Sequence, residues 1–265
     1  MFSFIIKKSF CDGWDNLLSL VISNFIFMFI GLGTILLNYV VSKAGFVFTD
    51  ILMYFLFVSV LSIIAFAYSE LAVKIADFRS VRVTDFFKAI PKVIKDAVLF
   101  AVMCGMIFMI SIIGIMYYFT QVKSVTGLFL SAMILWIDLF LILALQWFIP
   151  LHAMFHNNFR KCLKKCFIIF LDNFGFSLAV FLYNIVLSVI SVFFLGFLPS
   201  CAGILIADCN ALRILIYKYD YLEEHPELKT PAERKRIPWE ELIYEDRETL
   251  GPRRLKSFIF PWKED

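Results

Sequence analysis

Long apolar runs broken by short polar gaps organise this chain. They lie at about Leu17 to Val41, Phe46 to Ala76, Ala97 to Phe119, Leu128 to Leu151, Phe176 to Leu198 and Cys201 to Tyr217. Crossing roughly 30 Å of hydrocarbon at about 1.5 Å per residue takes about 20 apolar residues, so the first five runs are long enough to span. The sixth does so if Asp208, Asn210 and Arg213 find partners. The pattern predicts an all-α integral membrane bundle of six transmembrane helices, with two interfacial helices on the cytoplasmic side. Residues 1–218 form the membrane domain, and 219–265 a charged, proline-rich tail.

The two broad gaps inside the membrane region have helical periodicity. In the first, Thr84 is placed to cap a short helix carrying Phe86, Phe87 and Ile90 with Lys88, Lys92 and Lys95, and Pro91 then begins the rise into span three. In the second, Arg160, Lys161, Lys164 and Lys165 share one face, while Phe159, Leu163, Cys166, Phe167 and Phe170 form the other. Both read as helices lying in a headgroup layer. Each follows an inward span and precedes an outward one. This arrangement fits parallel repeats of spans two and three with four and five, and equally fits any two hairpins entering from the cytoplasm.

Composition strengthens the membrane reading. Hydrophobic residues make up 61% of 265, including 32 Phe, well above the roughly 45–50% of a soluble domain. Residues 1–218 carry 16 Lys/Arg against 10 Asp/Glu, and the tail carries 9 against 12. The basic part is therefore the membrane part, which favours a bilayer with anionic headgroups and offers no nucleic-acid surface. The positive-inside rule puts both termini and the two basic gaps in the cytoplasm, with Lys43 and Lys123 in outer loops. The first run lacks a small-residue cleavage site and reads as a retained span.

Ionisable groups inside the spans are the candidates for chemistry, since each costs roughly 2.5–3.5 kcal/mol at mid-span. Asp138 sits at the centre of span four, and span six carries Asp208, Asn210 and Arg213. Counted from the outer surface, Asp138 and Arg213 fall at similar depths, so a pair between spans four and six is allowed. Such a pair is either a substrate or proton site or a lock on helix register. Asn24, Asn38 and Asn184 read as interhelical hydrogen-bonding groups. His152 and His156 have chelating i, i+4 spacing without an evident third ligand, and Cys162 and Cys166 read as buried thiols or a metal or redox pair. No metal or cofactor site and no enzyme is expected: phosphate loop, nucleophile elbow and dinucleotide fingerprint are all missing.

The tail ends differently from how it begins. Arg253, Arg254 and Lys256 lead into Phe258, Ile259, Phe260 and Trp262. Aromatics of this kind dock on the membrane, on the protein's own cytoplasmic face or on a partner.

The stretch Trp14-Asp15-Asn16-Leu17-Leu18 with Asn24, the segment Thr84-Asp85-Phe86-Phe87-Lys88-Ala89, and Phe148-Ile149-Pro150-Leu151 followed by the basic helix Arg160 to Lys165 resemble the YesL-like family of bacterial membrane proteins. The likeness covers roughly residues 10–218. It implies a multi-pass protein of the bacterial cytoplasmic membrane, of a kind often encoded near carbohydrate uptake systems and without an established activity, with no catalytic residues to carry over. The expected role is that of an accessory or scaffold component beside a membrane permease complex, or one built from copies of itself as a homo-oligomer. The alternative is an autonomous small-solute transporter using Asp138, Asp208 and Arg213.

Overall fold

The computed structural model describes residues 1–43, 47–227 and 237–253, and is helical almost throughout. Helix α1 (Phe2–Asp15) leads into α2 (Leu17–Ser42) through a kink at Asn16, which sits at φ −112°. Hydrogen bonds from Asn16 N to Asp12 O and from Leu20 N to Asn16 O carry the helical ladder across this kink. The Asn16 side chain also donates to Asp12 O at 2.9 Å, an intrusion into the ladder of the kind that bends helices. The flank ahead of span one is thus an amphipathic helix in its own right.

Helix α3 (Val47–Ala76) pairs with α4 (Val83–Thr120), where Tyr54 and Ser62 donate to Gly105 O and Ala97 O. Pro91 lies inside α4. The short helix expected at Thr84 to Lys95 is therefore the first part of one continuous 38-residue helix. A proline forfeits only one ladder bond, which packing of Phe86, Ala89, Val93 and Ala97 offsets.

Ser124 caps α5 (Val125–Leu145) by accepting from Gly127 N at 3.3 Å. Position 127 takes only glycine here, because a Cβ would stand 2.2 Å from Val122 O. A break at Gln146 and Trp147 separates α5 from α6 (Phe148–Phe155). Next come α7 (Phe159–Asp172), α8 (Phe174–Phe193) and α9 (Ser200–Glu224), which runs past the boundary expected at 218. The tail forms α10 (Trp239–Leu242) and α11 (Tyr244–Leu250).

Six helical segments are long and apolar enough to cross a membrane, so the chain is a multi-pass helical membrane protein. The centre of the bundle is α9. Of its apolar stretch 67% is buried, against 17–28% in the other five. The α1 helix, the 77–82 turn, α7, α10 and α11 gather at one end, called here the basic end.

Candidate functional site

The charged residues that sequence reasoning spread through the membrane converge in pairs, most of them at the basic end around α9. Arg213 is the hub. Its Nη1 donates to Asp77 Oδ1, and its Nε and Nη2 reach Asp246 Oδ2 and Oδ1 at 3.2 and 3.1 Å. Tyr217 adds a third bond to Asp246, OH to Oδ2 at 3.1 Å. Asp246 belongs to α11 yet is only 5% exposed. The tail carboxylate is thus clasped within the fold.

Phe78 stands beside this hub at the end of α3. Its N–H bonds Ile75 O and the Arg79 N–H bonds Lys74 O, closing the helix in the 5→2 and 6→1 pattern that needs a left-handed residue. Phe78 takes that conformation at φ 56°, at a cost of roughly 1–2 kcal/mol for a residue with a Cβ. Its ring faces two cations, Lys8 Nζ at 3.7 Å and the Arg213 guanidinium at 5.9 Å. A glycine would satisfy the turn but could not bridge the cations.

The α1 helix is fixed by a second polar knot. Lys8 Nζ donates to Asp12 Oδ2 at 2.8 Å, and Asn210 on α9 donates to the same oxygen at 2.9 Å and to Ser9 Oγ at 3.3 Å. Both charges are buried. Burial holds the Lys8 ammonium below its ordinary pKa and Asp12 above the usual carboxylate range, each partly countered by the other's charge.

A third set joins three helices. His152 Nε2 lies 3.0 Å from Asp96 Oδ2, and His156 Nδ1 lies 3.5 Å from Glu70 Oε1. The two histidines thus face a carboxylate each. Among the described residues no group of His, Cys, Asp or Glu is arranged to hold a metal. Cys162 and Cys166 are buried in α7, where desolvation pushes both thiols up.

Asp138 does not meet Arg213. Its Oδ1 accepts from Ser111 Oγ of α4 at 2.6 Å, because α5 packs on α4 while Arg213 turns to Asp77 and the tail. Asp208 accepts from Asn184 of α8 at 2.7 Å and lines a cavity of about 400 Å³ with Ser62, Cys104, Gln146 and Cys201. Asn210 sits in the α1 knot. Each polar residue of the sixth run has a partner, and three helices supply them.

Lys88, Lys92 and Lys95 are exposed on α4, as are Arg160, Lys161 and Lys164 on α7. Lys165 is half-buried with its Nζ 4.4 Å over the Phe155 ring. Arg253 pairs with Asp15. Arg254, Phe258, Phe260 and Trp262, the rest of the expected docking segment, lie outside the described residues. Sequence reasoning missed Lys8, Asp12, Asp77, Phe78 and Asp246. The i, i+4 spacing of Lys8 and Asp12 was the one local signal for any of these.

The chain matches no family model, no curated protein and no solved structure.

Proposed function

We propose that the chain is a non-enzymatic accessory or scaffold protein of the bacterial cytoplasmic membrane, with both termini in the cytoplasm. On this reading the basic end is a built docking face. The observation that carries it is the Arg213 clasp: a partly buried cation on the central helix holds the tail carboxylate Asp246, so α11 is part of the folded surface. The exposed lysines and arginines of α4 and α7 extend that face and suit anionic headgroups. The partner is a membrane permease, of a carbohydrate uptake system if the resemblance to the YesL-like family holds, or a second copy of the chain. Removing Arg253 to Asp265 abolishes the association while the bundle stays folded; unchanged association contradicts the proposal.

The cavity beside Asp208 favours a second reading, transport of a small solute. The original trio does not converge, since Asp138 and Arg213 are engaged elsewhere, so the transport reading rests on Asp208 alone. Solute flux in vesicles that survives Asp208→Asn removes it.

A further inference from the structure

The turn between α8 and α9 stands at an unexpected depth. Asn24 on α2 donates to Phe197 O at 2.8 Å and to Pro199 O at 2.9 Å, and its Oδ1 accepts from Ala202 N at 3.0 Å. The turn therefore lies beside Asn24. From that residue α2 continues to Ser42, about 27 Å further at 1.5 Å per residue. Helix α4 agrees. Cys201, at the start of α9, shares a cavity wall with Cys104. Beyond Cys104, α4 runs on to Thr120 for about 24 Å.

Most large side chains in those extensions are apolar, and many of them face outward. Phe29, Leu36, Met116 and Phe119 are each more than 60% exposed. The charges that close this region are Lys43, Asp50 and Lys123. Were the 194–199 turn at the far water surface, about 25 Å of apolar helix would stand in water, at roughly 1.5–3 kcal/mol for each large side chain left unburied.

The turn itself is made for hydrocarbon. Val192, Phe193 and Leu195 are 76–80% exposed, and no charge lies between Asp172 and Asp208. Irregular backbone survives at such depth only where its polar groups are met. Here Asn24 takes two carbonyls and the Ala202 N–H, Ser191 Oγ accepts from Ser200 N at 2.6 Å, and Gly196 N bonds Ser191 O. Gly203 permits the tight return, since a Cβ there would stand 2.5 Å from Pro199 Cβ.

We propose that α8 and α9 form a re-entrant hairpin that enters and leaves the bilayer from the basic end, its tip held inside the hydrocarbon by Asn24. Both helices are long enough to cross, yet neither reaches the end marked by Lys43 and Lys123. The hairpin closes the bundle at the basic end alone. It also places the Asp208 cavity between the tip and the basic end, within the membrane rather than at either surface.

Cysteine labelling with a membrane-impermeant maleimide tests this. Phe193→Cys, Leu195→Cys and, as reference, Lys123→Cys are compared in right-side-out and inverted vesicles, with the unmodified chain as background for its own thiols. Lys123→Cys labels from one face. Phe193→Cys and Leu195→Cys label from neither face, and both react once detergent dissolves the membrane. Labelling of either from the face that reaches Lys123→Cys shows a full crossing and overturns the proposal. Labelling of either from the opposite face overturns it as well, because the tip would then not be inserted.

Discussion

Arg213 and Asp246 meet in two nearly parallel hydrogen bonds, Nε to Oδ2 at 3.2 Å and Nη2 to Oδ1 at 3.1 Å, across 33 positions of chain. The fork geometry joins the central helix to the tail with both direction and strength, and little of the pair is open to water. Breaking such a pair from one side leaves a buried charge uncompensated, at about 3–5 kcal/mol. Arg213→Gln should therefore release α11 and make the tail a good protease substrate. Asp246→Asn should do so more mildly, because Asp77 still holds the guanidinium. Limited proteolysis followed by mass measurement reads both, and equal resistance in all three proteins would show that the clasp does not hold the tail.

Phe78 carries strain and a service together. Phe78→Leu keeps the strained turn and loses both cation contacts, so it should lower the melting temperature in detergent. Phe78→Gly loses the same contacts and relieves roughly 1–2 kcal/mol of left-handed strain, so it should melt above Phe78→Leu. The reverse order would show that a side chain packed at position 78 matters more than the backbone strain.

The Ser111–Asp138 bond replaces the expected pair with Arg213. It joins neighbouring helices inside the apolar region, where measured couplings average about 0.6 kcal/mol. Ser111→Ala, Asp138→Asn and the double variant should give a coupling of that order in thermal unfolding. No coupling at all would mean that the bond is not formed in the membrane.

Acid should loosen the seam between α7 and α9. Asp172 accepts from Lys218 at 3.0 Å and from Tyr219 at 2.8 Å. Burial pushes its carboxyl upward, but these bonds and that from Asn173 outweigh it and bring the group below the usual carboxylate range. A depressed folded pKa gives stability that is present above the unfolded value and is lost as the pH falls through the folded one. Stability should thus decline below about pH 4, and Asp172→Asn should lack that part of the decline. Identical acid profiles for the two proteins would exclude this bond as the cause.

The membrane architecture was legible because burial in lipid leaves a long-wavelength signal: runs of Phe, Leu and Ile whose length matches a bilayer. Pairings were not. Depth counting placed Asp138 opposite Arg213 by assuming that each run crosses fully from the same surface. Yet α9 starts beside Asn24, and its arginine falls level with Asp77 at the end of α3. The rule that buried charge seeks a partner was sound, but the partner came from the tail, 33 positions away, where no periodicity points. Pro91 misled for a related reason: a proline marks a helix start when nothing else holds the chain, and here packing against α3 carries α4 straight through it. Lys8 and Asp12 lie ahead of the first long apolar run, and only the burial of α1 against α9 turns them into a knot.

The most direct measurement is quantitative mass spectrometry of what copurifies with the protein after gentle extraction from its native membrane, for the full chain, the chain lacking Arg253 to Asp265, and Asp246→Asn. The scaffold account predicts a permease subunit, or a second copy of the chain, in near-stoichiometric amount with the full chain, reduced in Asp246→Asn and lost with the tail. A full chain that comes out alone, or with a partner that all three proteins retain equally, would contradict it.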